Sequence, residues 1–395
     1  MYRFPKDFFW GASTSSYQVE GNNIYSDWWH WEKKKGLIFS GDACRHYELY
    51  QQDFDLAKLL NHNAHRFSIE WARVEPQEGK FNEKAIQHYK KEVVLALKER
   101  NLEPIVTLNH FTLPYWLAQS GGWLNKKSIN YFLRYVEKIV YHLNRDVKFW
   151  ITINEPMVYI YQAYLKGVWP PEKKSILKAL MVYRRLVYAH IKAYHLIHRI
   201  YKEEKKDFPC VSIAQHLRGF FCLNNNLYYY YKLIQNIKDY LFNFMFLDKL
   251  VKNKSLDFIG INYYTSEFLP TNHPQLKKIP KSNLGWFVYP EGLYTLLLKL
   301  KRYNLDIFIL ENGISTDDDN QRISFIRDHL KQINLAMQSG INILGYLYWS
   351  LIDNFEWDKG FMARFGLIEI DYSNFKRNIR ESARMFSRIC KNNYL

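Results

Sequence analysis

Eight short segments rich in apolar and β-branched residues recur along the chain. Segments of this length and composition, bounded by polar or turn-forming residues, predict β-strands. Their uniformly apolar character is typical of strands that are buried on both faces of a parallel sheet. In chain order the segments read FFWGAST, HRFSIEW, PIVTLNH, FWITINE, CVSIAQH, LDFIGINYY, DIFILE and ILGYLYW.

Amphipathic helical patterns separate several of these segments. Apolar residues recur at steps of three and four between positions 129 and 143, and again between positions 323 and 337. Strands that alternate with helices of this kind predict a parallel sheet with crossover helices. Eight β/α units of about 50 residues each predict an α/β fold, a single (β/α)8 TIM barrel with enlarged βα loops.

No stretch of the sequence has the character of an interdomain linker. The segments WPPEKKS and TNHPQLKKIPKSNLG are rich in turn-forming residues, and we interpret them as insertions within βα loops. No repeat with a period of about 20–50 residues is visible. We therefore predict one domain that spans residues 1–395.

The chain is basic, with 55 Lys and Arg against 39 Asp and Glu and a formal net charge of +16. Such an excess raises the question of a nucleic-acid or membrane-surface partner. The basic stretches WEKKKG, EKKS and KEEKKD contain acidic residues or lie in expected loops, and no zinc-finger, helix-turn-helix or RNA-binding signature accompanies them. We interpret the charge as solvated surface and predict no nucleic-acid and no membrane partner.

Cysteine usage and the N-terminal sequence favour a cytoplasmic location. Lys6 and Asp7 interrupt the region where a secretory signal would be continuously apolar, and the longest apolar stretch, near ILGYLYWSLI, is too short to span a bilayer. The four cysteines show no paired spacing, which is expected for a reducing compartment. They are Cys44, Cys210, Cys222 and Cys390.

Two histidines raise the question of a bound metal. His62 and His65 stand close together in the sequence HNAH, but neither a third ligand nor an H-E-x-x-H context accompanies them. We therefore predict no metal and no cofactor.

Polar or aromatic residues stand at the ends of most of the apolar segments. In a (β/α)8 barrel the chemistry lies at the carboxyl ends of the strands, so these residues become candidates as one set. The set comprises Gln18, Glu20, Arg66, Asn109, His110, Asn154, Glu155, Asn262, Tyr263, Glu311 and Trp349.

Two glutamates of this set suit glycoside hydrolysis. Glu155 and Glu311 follow the fourth and seventh strands, on opposite sides of the barrel axis, so both side chains can converge on one bond. One carboxyl group then protonates the leaving oxygen, while the other attacks the sugar or activates water. The separation of the carboxyl groups decides between retention and inversion, and the sequence alone leaves that open.

The motifs FPKDFFWGASTSSYQVEG, RFSIEWARVEP, TINEP, INYY, LENG and YWSLIDNFEW…RFGL together resemble the β-glucosidase and β-galactosidase family, glycoside hydrolase family 1. The resemblance runs nearly from end to end, in the family's order. At 395 residues the chain is short for this family, which implies trimmed loops.

The resemblance implies roles for five residues in a retaining double displacement. Glu311 would be the nucleophile, kept ionised by Arg66 and a hydrogen bond from Tyr263. Glu155 would be the acid/base, with its pKa raised by burial and by the negative charge of Glu311. Asn154 would bind the 2-hydroxyl of the sugar.

The resemblance also implies a pocket for a small-molecule β-glycoside or oligosaccharide. Gln18, His110 and Glu356 resemble sugar-hydroxyl ligands of the family, and Trp349 resembles the platform under the ring. Trp357 would donate its indole N–H. The expected substrate-binding residues are Gln18, His110, Asn154, Trp349, Glu356, Trp357 and Phe365.

Two alternative functions share this fold. Family relatives that cleave 6-phosphoglycosides carry Ser, Lys and Tyr where this chain has Glu356, Ala363 and Phe365, and a carboxylate at that position would repel a phosphate. A catalytically inactive sugar-binding barrel is the second alternative, although both glutamates are present. The preference among glucose, galactose, fucose and mannose, the aglycone and the oligomeric state stay open.

Overall fold

Eight parallel strands close into a barrel in the computed structural model, which describes residues 2–224 and 226–395. Each strand pairs with the next, and the last pairs with the first. All eight predicted strands and the TIM-barrel fold are thereby confirmed. The strands are β1 Phe9–Ser13, β2 Ala64–Ser68, β3 Glu103–Thr107, β4 Phe149–Asn154, β5 Cys210–Cys222, β6 Ile259–Leu269, β7 Ile307–Asn312 and β8 Ile343–Trp349.

Strands β5 and β6 extend well beyond the segments that predicted them. The predicted segments end at His216 and Tyr264, whereas the strands end at Cys222 and Leu269. The two strands stay paired along this extension after a bulge near Leu217. Part of the enlarged loop region expected after these strands is therefore a two-stranded projection above the barrel.

Some helices lie on the outside of the barrel, and others lie in its loops or in the C-terminal segment of the chain. The two helical patterns seen in the sequence form α8 and α14. The helices are α1 Ser16–Val19, α2 Asp27–Lys35, α3 His46–Leu59, α4 Trp71–Val74, α5 Glu83–Gln87, α6 Leu95–Glu99, α7 Tyr115–Gln119, α8 Ser128–Leu143, α9 Pro156–Ile160, α10 Ile176–Glu203, α11 Tyr228–Asp239, α12 Met245–Lys252, α13 Pro290–Leu300, α14 Asp319–Gln338 and α15 Glu381–Asn392.

Several short elements complete the fold. An antiparallel hairpin joins β9 Ile368–Asp371 to β10 Lys376–Ile379. Single turns of π-helix lengthen α5, α9 and α11 at residues 88–94, 161–166 and 240–244.

Aromatic side chains fill one end of the barrel interior. Phe9, Phe149 and Phe308, at or near the starts of their strands, pack on one another with ring centroids 5.4–5.9 Å apart. Gly345 leaves the room for this layer, because a Cβ there would lie 2.5 Å from the Cβ of Phe9. The apolar layer closes the amino-terminal end of the barrel, and the polar strand ends lie at the opposite end.

The longest helix, α10, has 28 residues. Within residues 2–224 and 226–395, no helix combines the length and apolar character needed to cross a lipid bilayer.

Candidate active site

The carboxyl ends of the strands surround a cavity of roughly 370 Å³. Nine of the residues predicted for the site line this cavity, so the structure brings the predicted set together around one space. They are Gln18, His110, Asn154, Glu155, Glu311, Trp349, Glu356, Trp357 and Phe365.

Arg66 and Tyr264 hold the two oxygens of the Glu311 carboxyl group. The guanidinium of Arg66 donates a short hydrogen bond to Oε1, and the hydroxyl of Tyr264 donates to Oε2 at 2.5 Å. Arg66 is fully buried and Glu311 is 3% exposed, so the ion pair is shielded from solvent. Charged hydrogen bonds of this kind favour the ionised carboxylate.

The same guanidinium fixes neighbouring strand ends to one another. Arg66 Nε donates to Thr107 Oγ1 at 3.0 Å, and its Nη2 donates to Asn154 Oδ1 at 2.7 Å. Asn154 Nδ2 in turn lies 3.1 Å from the Nε2 atom of His110. One arginine on β2 therefore positions side chains from β3, β4 and β7 in a single network.

Tyr263 was predicted to donate to Glu311, and this prediction is wrong. Its hydroxyl lies 2.8 Å from Ser266 Oγ and donates to the backbone oxygen of Tyr289 at 2.6 Å. Its ring packs 5.8 Å from His329 of α14. Because neighbouring residues of a strand point to opposite faces, Tyr263 faces the outer helices while Tyr264 faces the cavity.

A local break in the strand geometry brings Glu155 into the cavity beside Asn154. Consecutive residues of a regular strand would point in opposite directions. Glu155 has a φ of 44°, in the left-handed region, directly after the end of β4. This turn of the backbone lets two adjacent polar side chains serve the same site, and the strain it carries is typical of functional positions.

Asn262 and His216 contact the Glu155 carboxyl group. Asn262 Nδ2 donates to Oε1 at 2.7 Å, and His216 Nδ1 lies 3.2 Å from the same oxygen. The Nε2 atom of His216 is buried without a partner among the described residues. The ring stacks on Tyr264 at 5.8 Å with an interplanar angle of 20°.

Sequence reasoning missed His216 and Tyr264, although signals for both were present. His216 is the residue that ends the fifth apolar segment, CVSIAQH, and it should have entered the set of strand-end candidates. Tyr264 stands two positions after Asn262, so the strand period of two places both side chains on one face.

Burial and mutual repulsion couple the protonation of the two glutamates. Burial raises the pKa of Glu311 to about 7; Arg66 acts against this rise and the charge of Glu155 adds to it. Burial also raises the pKa of Glu155, but the charge of His216 and hydrogen bonds from His216 and Asn262 outweigh it, so its pKa lies below the ordinary value. The sequence reasoning had expected the opposite directions, because it overlooked His216 beside Glu155 and the effect of burial on Glu311.

Glu356 and Gln18 form a polar pair at the wall of the cavity. Gln18 Nε2 donates to Glu356 Oε2 at 3.1 Å and to Asn354 Oδ1 at 3.0 Å. Burial, followed by repulsion from Glu311, raises the pKa of Glu356 to about 8. The neutral acid is therefore favoured at neutral pH in the empty cavity, which weakens the argument that a negative charge here repels a phosphate.

Aromatic rings line the side of the cavity that contains His110. The imidazole stacks between Trp349 and Trp357, with centroid distances of 5.9 and 6.0 Å and interplanar angles of 21° and 15°. Burial, and after it the charge of Arg66, lowers the pKa of His110 well below its ordinary value, so the ring is neutral. Phe365 packs on Tyr264 at 6.0 Å. Ring faces of this kind suit the apolar faces of a sugar.

Cationic side chains line the outer part of the cavity. Lys166, Arg218 and Lys359 all contribute to its lining. Arg218 forms an ion pair with Glu267, and Lys359 forms one with Asp358 at 2.7 Å. The rim therefore carries both signs of charge.

The fold and the site agree with a known family of enzymes. The family model for glycosyl hydrolase family 1 matches residues 1–217 and 225–395. The chain belongs to glycosyl hydrolase family 1. The resemblance seen in the sequence motifs is thereby confirmed, and the protein is a glycoside hydrolase.

Known members of family 1 resemble the chain over its whole length. The 1,4-beta-D-glucan glucohydrolase of Thermotoga neapolitana is 31% identical over 443 aligned positions, which cover 100% of both proteins. The solved structure of a beta-glycosidase from Pyrococcus horikoshii matches with a TM-score of 0.92 and 38% identity, covering 100% of this chain and 96% of the other. The 6-phospho-beta-glucosidase GmuD of Bacillus subtilis is 28% identical over 99% of this chain and 98% of its own length.

Proposed function

We propose that this family 1 enzyme hydrolyses terminal, unphosphorylated β-D-glycosides with retention, by a double displacement through a covalent ester of Glu311. The observation that carries the proposal is the unequal treatment of the two glutamates. Glu311 is held by a buried arginine and a tyrosine hydroxyl, whereas Glu155 is held by an amide and a histidine. β-Glucosides and β-galactosides are the substrates we expect.

The permanent charge of Arg66 determines which carboxyl group is ionised during the reaction. A guanidinium stays protonated in proteins, and a fully buried one without a counter-ion is strongly unfavourable. Glu311 supplies the counter-ion, so the proton that the two glutamates share resides on Glu155 in the reacting enzyme.

The first step forms the ester and releases the aglycone. An oxygen of Glu311 attacks the anomeric carbon as the bond from that carbon to the glycosidic oxygen breaks. The proton of Glu155 moves to the departing oxygen, so the aglycone leaves as a neutral alcohol. Arg66 and Tyr264 then no longer face a negative carboxylate.

The second step hydrolyses the ester with the same residues. Loss of the Glu311 charge removes a repulsion on Glu155, which favours its ionised form and makes it a base. Glu155 takes a proton from water as the oxygen of that water bonds to the anomeric carbon. The bond from this carbon to Glu311 breaks, and both carboxyl groups return to their starting state.

We infer that the inner wall of the cavity binds the sugar. Gln18, His110 and Glu356 present polar atoms, and Asn154 lies between the catalytic carboxyl groups and His110. Trp349 provides a ring face beside them. Two relatives, a 1,4-beta-D-glucan glucohydrolase and a beta-glycosidase, support a β-linked sugar as the substrate.

A panel of substrates tests this proposal. The purified enzyme is assayed on p-nitrophenyl α- and β-glycosides of several sugars, with 6-phosphorylated versions included. We expect turnover of unphosphorylated β-glycosides, with the β-anomer of the sugar as the first product seen by NMR. A preference for the 6-phosphoglycosides would replace the proposal with the activity named for GmuD. No turnover of any glycoside would favour an inactive sugar-binding barrel.

A single variant tests the nucleophile. Glu311→Gly removes the atom that forms the ester, so we expect activity on every substrate to fall by many orders of magnitude while the fold is retained. Far-ultraviolet circular dichroism checks the fold. Turnover close to that of the parent would refute the covalent mechanism.

We further propose that residues 1–395 act as one catalytic domain in a reducing compartment such as the cytoplasm. Pairing of β1 with β8, and of Arg3 with Tyr394, ties the two ends of the chain together. All four cysteines are free thiols.

A further inference from the structure

Two neighbouring helices expose an unusual number of large apolar side chains. More than half of the exposed large apolar residues among those described lie between residues 161 and 188 or between residues 227 and 241. On α10 these include Leu177, 75% exposed, together with Leu180 and Met181. On α11 they include Tyr229, which is 88% exposed, and Leu233 at 59%. We call the outward surfaces of α10 and α11 the two-helix face.

The orientation of α11 is opposite to that of an ordinary surface helix. A helix on a globular protein packs its apolar side on the core and turns its polar side to water. Of the twelve residues of α11, only Gln235 and Asp239 are buried. Asp239 accepts hydrogen bonds from Asn243 at 2.7 Å and from Lys299 at 2.6 Å. The polar side of α11 is thus fixed to the protein, while Tyr228, Tyr229, Tyr230, Leu233 and Ile237 are exposed.

Direct contacts place α10 beside the segment that follows α11. The hydroxyl of Tyr183 donates to the backbone oxygen of Met245 at 3.0 Å, and its ring packs 5.7 Å from Phe246. Tyr240 and Leu241, which join α11 to α12, are themselves about half exposed. These contacts place α10 beside the start of α12, the helix that follows α11 in the chain.

The two-helix face is also the site of a concentrated positive charge. Residues 161–192 contain seven Lys and Arg and a single acidic residue, Glu172, in a chain whose net charge is +16. Lys173, Lys174 and Lys178 are exposed, and they form no ion pair within residues 2–224 and 226–395. These lysines flank the exposed apolar residues Ile176, Leu177 and Leu180 in the sequence.

We propose that the two-helix face docks the enzyme on an anionic lipid surface. Tyrosine, leucine and methionine side chains would enter the headgroup region, while the lysines would contact lipid phosphates. This combination of exposed apolar residues and unpaired cations is typical of proteins that bind a membrane without crossing it.

A second copy of the chain fits the face less well. A two-fold contact would place the lysines of one copy opposite those of the other, and buried like charges oppose association. A nucleic acid would satisfy the lysines but would offer no apolar medium for Leu177, Leu180 and Leu233. An anionic lipid surface satisfies both features at once.

Docking would hold the mouth of the cavity next to the lipid surface. Lys166 and Val168, in the loop that leads into α10, line the cavity. Helices that follow barrel strands begin at the end where the strands finish, so α10 and α11 start on the same side as the cavity. The inference does not depend on which glycoside the enzyme cleaves.

Vesicle co-sedimentation tests the proposal with the full-length enzyme. Vesicles of phosphatidylcholine alone are compared with vesicles that contain about one third phosphatidylglycerol, at low and at high salt. We expect binding to the anionic vesicles, at least about tenfold weaker binding to the neutral ones, and release by salt. Equal binding to both vesicles without salt dependence, or no binding to either, would overturn the proposal.

Two double variants locate the binding surface. Tyr229→Ser with Leu233→Ser removes apolar area, and Lys173→Glu with Lys178→Glu reverses charge, and each pair should weaken binding at least about tenfold. The matched control is Phe208→Ser, which removes a side chain that is 84% exposed and precedes β5, at the opposite end of the barrel. The control should bind like the parent.

Two further measurements separate this inference from the alternatives. Turnover of a soluble p-nitrophenyl glycoside should be unchanged in all three variants. This result would show that the variants fold and that lipid binding is independent of the proposed hydrolytic activity. Light scattering after size exclusion should give the same mass for parent and variants. A dimer that dissociates in the apolar double variant, or displacement of the vesicles by single-stranded RNA, would overturn the lipid proposal.

Discussion

Replacement of Tyr264 by phenylalanine isolates one hydrogen bond at the nucleophile. The change removes only the hydroxyl that donates to Glu311 Oε2 at 2.5 Å. The ring that packs on His216 and Phe365 is retained. Any loss of activity is then due to the missing hydrogen-bond donor and not to a space left by a smaller side chain.

The size of the effect follows from the strength of a charged hydrogen bond. Such a bond contributes about 1.5–3 kcal/mol when one partner is ionised. Since about 1.4 kcal/mol corresponds to a factor of ten, kcat/KM should fall roughly 10- to 150-fold. The hydroxyl also lowers the pKa of Glu311, which burial has raised to about 7. Its removal raises that pKa further, so the acidic limb of the pH profile of kcat/KM should move to higher pH.

Tyr263→Phe is the matched control, one residue away in the same strand. Its hydroxyl contacts Ser266 and the backbone of Tyr289, outside the cavity. Loss of these contacts should lower the free energy of unfolding by about 1–3 kcal/mol and leave kcat/KM within about twofold. The assay measures kcat/KM on a p-nitrophenyl β-glycoside between about pH 4 and about pH 9, with urea denaturation in parallel. Equal kinetic losses in both variants, or none in Tyr264→Phe, would refute the assignment.

Further predictions concern the acid/base residue, its histidine and the wall of the sugar pocket. Glu155→Ala should retain more activity on aryl glycosides with good leaving groups than on disaccharides. Added azide should restore turnover and give a β-glycosyl azide as product. An α-configured azide seen by NMR would contradict the acid/base role. His216→Phe removes a positive neighbour of Glu155, which favours the protonated acid, so the basic limb of the kcat/KM profile should move to higher pH; an unchanged or lowered limb would show that the histidine does not act on Glu155. Glu356→Ser should lower kcat/KM on unphosphorylated β-glycosides about 30- to 150-fold, and the added Ala363→Lys should raise activity on matched 6-phosphoglycosides; a parent that already prefers the 6-phosphate would refute this interpretation of the pocket.

The barrel was predictable because its signals are local. Each strand is a short apolar run, and the periods of helices such as α8 are visible in the sequence. The end of β5 was not predictable in this way, because the strand continues past His216 through residues that pair only with the extended end of β6. Such pairing depends on another part of the chain, so no local pattern reports it.

The sequence predicted which strand ends form the site, but it did not predict the direction of every side chain. Glu155 and Glu311 each end a strand and follow a motif, and both line the cavity. The choice between Tyr263 and Tyr264 needed the direction of each side chain. Asn262 contacts Glu155, so the period of two selects Tyr264. The contact that fixes this direction joins β6 to β4 and is visible only in three dimensions.

The sequence reasoning also missed a local concentration of positive charge that the sequence contains. The sequence reasoning interpreted the net charge of +16 as dispersed over the chain. Residues 161–192, which contribute to this charge, span apparent loops and a helix. The sequence pattern of α11 gives no warning that its polar residues Gln235 and Asp239 face inwards. The prediction that the chain has no membrane partner stays a prediction, and the vesicle experiment decides it.

The charges in the cavity determine how many protons the site binds. The buried carboxyl groups of Glu155 and Glu311 and the half-buried one of Glu356 line the cavity. The permanent cation Arg66 pairs with Glu311. Three negative charges in this space would repel one another, and this repulsion adds to burial in raising the pKa of Glu311 to about 7 and that of Glu356 to about 8. The cavity therefore binds protons near neutral pH. Removal of Arg66 would increase the number of protons that the site binds near neutral pH. Arg66 therefore determines the protonation of the site as much as the position of Glu311.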